Sequence, residues 1–471
     1  MAMMLEGDEA LDALDRDLSK IPFETDHQEA AKWCASNPRN GSLEYGFMRD
    51  SKYISRVLDE ELLGLLKAVP ALALEGPKGV GKTESAARLA ATIRRLDVPA
   101  ELSVVAADPN LALEGRRPVL IDEWQRFTPV WDAVKRAVDD GAGPGSFLLT
   151  GSATPGDSPT HSGAGRIVTL RMRPLSFFER QRQTPTVSLG ALLGGGRPPI
   201  GGTSSISLRE YVEEIVRSGF PGLRTLSGRP LRTQLEGYLT RIVDADLVEM
   251  GMRVRRPELV RRWLRAYAAA TSTTTSYETI RDAATGGEGT KPSKRTTMPY
   301  RDILERLWIV DPVPAWIPSR NPISRLSHPP KHHLADPALA ARLLGATTET
   351  LLSGEKAEEP GKGPLVGALF ESLAALSVRV YAQAAEARVG HLRTFGGERE
   401  IDLIIERADG RVLAIEVKLG GTVDDTDVKH LLWLKRELED DLIDMAVLTT
   451  GPQAYRRPDG VAVIPLALLG P

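Results

Sequence analysis

The chain has 471 residues, of which 42% are hydrophobic and 26% charged, and a formal net charge of −3. Such values describe an ordinary globular chain of roughly two to four domains, and the near-balanced charge excludes a molecule-wide polyanion-binding surface, so any contact with nucleic acid must be local. The single cysteine, Cys34, excludes internal disulfides and a cysteine zinc site, while the acidic start and the lack of an unbroken apolar run of spanning length lead us to expect a cytoplasmic protein without a membrane partner.

Residues 1–48 read as an acidic extension in which Leu11, Leu14, Leu18 and Ile21 could share a helical stripe. Residues 49–68 read as a helix, and VPALALE after them as a buried strand. Then comes GPKGVGKT, residues 76–83, which matches G-x-x-x-x-G-K-[ST] at Gly76, Gly81, Lys82 and Thr83. Strand, loop and following helix are the context this motif requires. The main chain of Gly76, Pro77, Lys78, Gly79, Val80 and Gly81 would wrap phosphates with inward-pointing amides. Lys82 would reach the β- and γ-phosphates, and the Thr83 hydroxyl would hold Mg²⁺. The spacing in ESAARLAATIRRL predicts one helix with Ala86, Leu89, Ala90 and Ile93 on a common face.

LSVVAAD and RPVLIDE read as two further strands. In the second, Val119, Leu120 and Ile121 precede Asp122 and Glu123, the Walker B pattern: a buried strand delivers carboxylates at its C-terminal edge, where ligands of open α/β sheets bind. Asp122 would hold Mg²⁺ and Glu123 would polarise the attacking water. SFLLTGSA, residues 146–153, reads as another strand, with Thr150 or Ser152 in a sensor role toward the γ-phosphate or the water. Past a glycine-rich loop, Arg166 could neutralise γ-phosphate charge in its own subunit or a neighbour's. We expect this first domain, residues 49–200, to be a parallel α/β sheet with helices on both faces.

Residues 174–183 read as a short aromatic helical piece, and 194–205 as a flexible linker. Residues 201–350 are mostly helical. SYETIRDAA, then SKRTTMPYRDILER with Ser293 as N-cap, suggest a helix-turn-helix, and WIVDPVPAW suggests a wing. Lys291, Lys294, Arg295 and Arg301 would face DNA phosphates, a solvated helical face being the plain alternative. His332 and His333 are adjacent, hence on opposite sides of a strand, and receive no role. A second linker spans 353–363.

Residues 364–471 hold a second constellation. A helix carries Glu371; a strand places Glu398, Glu400 and Asp402 on one face; after an Asp409–Gly410 turn, a second strand places Glu416 and Lys418 together. Carboxylates and a lysine in otherwise apolar strands are costly unless paired or metal-bound. Glu371, Asp402 and Glu416 could bind Mg²⁺, and Lys418 could steady a hydroxide or phosphate, the chemistry of metal-assisted phosphodiester hydrolysis. A salt-bridged hairpin is the alternative.

GPKGVGKT, VLIDEWQ, LLTGSA and AGR, with SGFPGL, LADPALAA and GALFESL, resemble the prokaryotic AAA+ ATPases in which a phosphate-loop domain precedes a C-terminal region of unknown function. The resemblance covers about residues 50–450. It implies ATP binding and hydrolysis by Lys82, Thr83, Asp122 and Glu123, with Arg166 at the family's Gly-Arg position, and a winged-helix portion in the middle. Glu371, Asp402 and Glu416-x-Lys418 resemble the PD-(D/E)XK nuclease-like core, although Ile401 stands where the family has proline. The expectation is an ATPase acting on or with DNA, with a homo-oligomer possible, or else an ATP-dependent regulator whose nuclease-like domain only binds.

Overall fold

In the computed structural model the described residues are 53–152, 163–252, 254, 256–285, 294–318, 328–353 and 365–471. The expected N-terminal stripe, Lys291, Ser293, the linker at 354–363 and the side chains of Lys294 and Arg295 lie outside them.

Strand β1, Ala71–Glu75, organises the first unit. Its four leading residues are fully buried because both faces of a parallel sheet are covered. It pairs in parallel with β4, Phe147–Gly151, on one side and β5, Val168–Arg171, on the other. β3, Val119–Asp122, lies beyond β4, and β2, Thr92–Arg95, forms the edge, giving the order β2-β3-β4-β1-β5. Val119, Ile121, Phe147 and Leu149 meet Leu96, Val105, Val130 and Trp131 in one core.

Two expected elements exchange type. The helix after the phosphate loop, Lys82–Ala87, stops after six residues, and Thr92–Arg95, expected to continue it, is β2. LSVVAAD, expected as a strand, lies in helix Pro99–Ala107. Pro99 in the first turn pre-sets helical φ, and the Glu101 carboxylate accepts the Arg95 N–H at 2.6 Å, joining helix to strand end. β2 forms because β3 needs a partner: Ile93 pairs with Leu120.

Contacts divide the chain into two units. One holds β1, Lys82–Gly151 and β5; the other holds Gly76–Gly81 and Met172–Pro471. By contacts, residues from Met172 onward, including the regions 201–350 and 364–471, group in one unit.

In the second unit, residues 174–183 contribute only the single turn Phe178–Arg180. Residues 194–205 are not a free linker: the Ser204 N–H donates to Pro452 O at 2.6 Å, and Gly202 O accepts from Ala454 N at 2.9 Å. Helix Leu208–Arg217 starts at a Ser207/Glu210 capping box. Helix Gly228–Arg241 continues through a π turn, Ile242–Asp246. Helices Pro257–Ala269, Tyr277–Thr285 and Lys294–Arg306 follow, the last containing Pro299. The stretch expected as a wing bridges Val310 to Leu334, Val313 to Lys331 and Ala315 to His391.

After the two-residue strand β6, Val187–Ser188, the C-terminal sheet is built from β7 (Arg388–Arg393), β8 (Glu400–Glu406), β9 (Val412–Val417), β10 (Leu442–Thr449), β11 (Tyr455–Arg456) and β12 (Ala462–Pro465), in the order β11-β12-β10-β9-β8-β7. β7, β8 and β9 run antiparallel, with Leu403 opposite Ile415. Helix Asp425–Leu438 crosses over to β10, parallel to β9. Among the described residues one helix, Leu365–Ala384, is long and apolar enough to cross a membrane, and 67% of its apolar window is buried within the protein.

Candidate functional site

The end of β3 carries the first constellation. The β3–β4 register sets Asp122 opposite Thr150, and the Thr150 hydroxyl donates to Asp122 Oδ1. The Thr83 hydroxyl, on the short helix after the loop, donates to the same oxygen at 2.8 Å. Thr83 and Asp122, the two residues expected at magnesium, therefore stand side by side. Thr150 orients the Asp122 carboxylate instead of standing as a free sensor. Lys82 is buried. Burial, partly offset by Lys82 and Arg171, pushes the Glu75 carboxyl above its ordinary value. Glu123 turns out of the strand in the left-handed region, φ 56°, and accepts from the Gln125 amide. Next to it, the Trp124 indole packs against Trp131 in a tilted pair, ring centroids 4.4 Å apart. A side chain at Gly151 would come within 2.7 Å of the Trp124 Nε1, so the residue after Thr150 must be glycine for that ring to fit.

In the second unit, Gly76 has φ 152°, and a Cβ there would lie 2.1 Å from Met172 O. That backbone conformation and that approach admit only glycine. The Tyr238 hydroxyl donates to Lys78 O at 3.1 Å. The Lys78 ammonium meets Asp246 at 2.7 Å and Glu249 at 3.2 Å. Burial disfavours its charge, but the two carboxylates raise its pKa overall. Lys78 thus has only its main chain left for phosphate. Within the first unit, a buried lysine and a hydroxyl paired to a carboxylate are groups of the types that phosphates and magnesium take.

Arg166 is nearly half exposed and pairs with Asp139 at 2.8 Å, an oxygen pair that Lys135 shares. Lys135 first, then Arg166, holds the Asp139 carboxyl below its ordinary value. Arg301, expected on a DNA-facing surface, pairs with Asp302 at 2.8 Å and lies over the Tyr277 ring.

The C-terminal constellation does assemble, but around a lysine. Lys331 Nζ lies 2.9 Å from Glu371, 2.9 Å from Asp402 and 3.1 Å from Glu400. Its side chain is 1% exposed. The magnesium set expected at Glu371, Asp402 and Glu416 is corrected accordingly: an ammonium stands among the carboxylates, and no group of three His, Cys, Asp or Glu among the described residues converges as metal ligands. Asp402 Oδ2 accepts the Val417 N–H at 2.8 Å, and Lys418 pairs with Glu416 at 3.3 Å. Glu398 stands outside β8. Burial, reinforced by Asp402, pushes Glu371 up to about 8 and raises Glu416 well above its ordinary value. Against the same burial, Lys331 holds Asp402 below its ordinary value. Lys331 and Asp402 thus favour each other's charged forms at the centre of the cluster. The sequence offered no signal for Lys331, set among prolines and histidines in HPPKHHL, nor for His430, whose Nδ1 lies 2.8 Å from Glu400 O and 3.9 Å from Glu416. His332 and His333 are buried, the former against Thr275 O at 2.7 Å.

A family model described as an AAA domain matches residues 69–181. Two models described as domains of unknown function, DUF8612 and DUF4143, match residues 208–350 and 366–469. Over 412 residues the chain is 24% identical to the uncharacterized protein Rv2008c of Mycobacterium tuberculosis, covering 85% of this chain and 81% of the relative. The uncharacterized protein Mb2031c of Mycobacterium bovis matches with the same identity and coverage. Among solved structures, the Walker-type ATPase PABY2304 of Pyrococcus abyssi aligns at a TM-score of 0.39 and 17% identity, over 63% of this chain and 97% of that one.

Proposed function

We propose that the protein hydrolyses ATP and uses the cycle as a switch, acting with DNA through its second unit. The observation that carries the ATPase reading is the single Asp122 oxygen that receives both the Thr83 and Thr150 hydroxyls. In this reading Lys82 holds the β- and γ-phosphates, Thr83 and Asp122 hold magnesium, and Thr150 fixes the Asp122 rotamer. Glu123 orients the water and accepts its proton. Bound ATP supplies the phosphoanhydride whose cleavage drives the switch. Arg166 would act on a neighbour's γ-phosphate in an oligomer only after leaving Asp139. Purified protein is expected to release phosphate from ATP, and Lys82→Ala to abolish that release; equal rates would remove the switch reading.

DNA is proposed from the order of helices Pro257–Ala269, Tyr277–Thr285 and Lys294–Arg306 followed by bridged extended segments, the order of a winged helix. Duplex binding followed by anisotropy should weaken steeply with salt; a salt-insensitive or absent signal would sink it. The helix–three strands–helix–strand order of the C-terminal domain supports a nuclease-like fold. Lys331 among its carboxylates favours the reading in which that fold binds without cleaving. No plasmid nicking is expected in Mg²⁺ or Mn²⁺, in any nucleotide state.

A further inference from the structure

We propose that Lys331 is the resident cation of the C-terminal carboxylate cluster, its ammonium standing where an open carboxylate site would hold a divalent ion, so that the domain is closed in a metal-free form. The inference deepens the non-cleaving reading and rests on it for the comparison with a nuclease-like fold.

Donors and acceptors match in number. An ammonium has three N–H bonds, and three carboxylates, Glu371, Asp402 and Glu400, each lie within 3.1 Å of Lys331 Nζ. These are hydrogen-bond separations, longer than the roughly 2.0–2.6 Å of oxygen ligands around Mg²⁺ or Ca²⁺. The carboxylates come from helix Leu365–Ala384 and strand β8, whereas the lysine comes from a separate segment. That segment is fixed at its backbone. Lys331 N–H donates to Val313 O at 2.9 Å, Lys331 O accepts from Val313 N at 2.9 Å, and His332 N–H donates to Thr273 O at 2.9 Å. The bridge to Val313 therefore fixes the point from which the side chain enters the cluster. The remaining oxygens are engaged as well: Asp402 Oδ2 by the Val417 N–H, and Glu416 by Lys418. Oxygen-rich clusters of this kind are hard-cation sites once the ammonium is gone.

The test is a metal-for-lysine exchange in the full chain, without nucleotide. Lys331→Ala is expected to melt well below wild type. Millimolar Mn²⁺ should recover several degrees of that loss while moving wild type little, and Lys331→Ala/Asp402→Asn should lose the recovery. Any metal at the phosphate loop shifts all three proteins alike, so only the difference counts. Lys331→Met, which keeps the stem, repeats the measurement with less lost packing. The proposal is overturned by a wild-type shift as large as the variants', or by no manganese-specific gain in either variant. It is equally overturned by variants that stay unfolded at every manganese concentration. Plasmid nicking is scored in parallel: cleavage by wild type defeats the non-cleaving reading, whereas the manganese shift decides the identity of the cation.

Discussion

Replacing Lys331 by Met tests the energetic weight of the buried cluster. The ammonium makes three charged contacts, at 2.9, 2.9 and 3.1 Å. At about 1.5–3 kcal/mol for each hydrogen bond to a charged group, they total about 5–9 kcal/mol. Burying the ammonium costs several kcal/mol in return. A net loss of about 3–5 kcal/mol on Lys331→Met is the outcome, the range for leaving one buried partner uncompensated. Urea denaturation reads it through the fluorescence of Trp316, which packs in the core of the C-terminal sheet. The cycle is completed with Asp402→Asn and the double variant. Removing both charges leaves neither stranded, so the double variant should lose clearly less than the sum of the singles. A Lys331→Met loss below about 1 kcal/mol, or strict additivity, would refute the reasoning.

Three further outcomes follow from the geometry. Gly76→Ala places a Cβ 2.1 Å from Met172 O; ATP affinity should fall at least about tenfold, some 1.4 kcal/mol, in a fluorescent-nucleotide titration, and unchanged affinity would mean the loop is not the site. Glu123→Gln should keep ATP binding while hydrolysis falls about 10²- to 10⁴-fold; retained turnover would shift the water-activating role elsewhere. For Glu371, the folded carboxyl keeps its proton up to about 8, whereas the unfolded one loses it near its ordinary value. Its contribution to stability is present in acid and declines as pH rises between those two values. Glu371→Gln cannot titrate, so its denaturation midpoint should gain on wild type across that window; parallel pH curves would count against the assignment.

The Thr83–Asp122 pair was legible because each member belongs to a local pattern of its own, although 39 positions separate them. Eight consecutive residues set the phosphate loop, and a buried strand must end where its carboxylates can be used. The expected hairpin also holds, since alternation alone puts Glu400 and Asp402 on one face, and both meet Lys331. The exchange of helix and strand between residues 92 and 107 arose because short apolar runs fit either period, and the choice was made by a partner, β3, supplied from elsewhere in the chain. Lys331 was illegible for a related reason. Its carboxylates lie 40 and 71 positions away, so nothing in its own neighbourhood distinguishes it from a surface lysine. The partner of the Lys78 side chain is distant too: the acid that claims it is 168 positions away.

The single turn at residues 178–180 bears on how the protein is made. The amide hydrogens just before and within it end on the Ser377 and Tyr381 side chains of helix Leu365–Ala384, 200 and 203 positions later. At roughly 5–20 residues per second, a ribosome needs on the order of 10–40 s to supply those acceptors. Throughout that interval Phe177, almost wholly covered in the finished protein, has no native cover from that helix, making the nascent chain around it a natural binding stretch for chaperones.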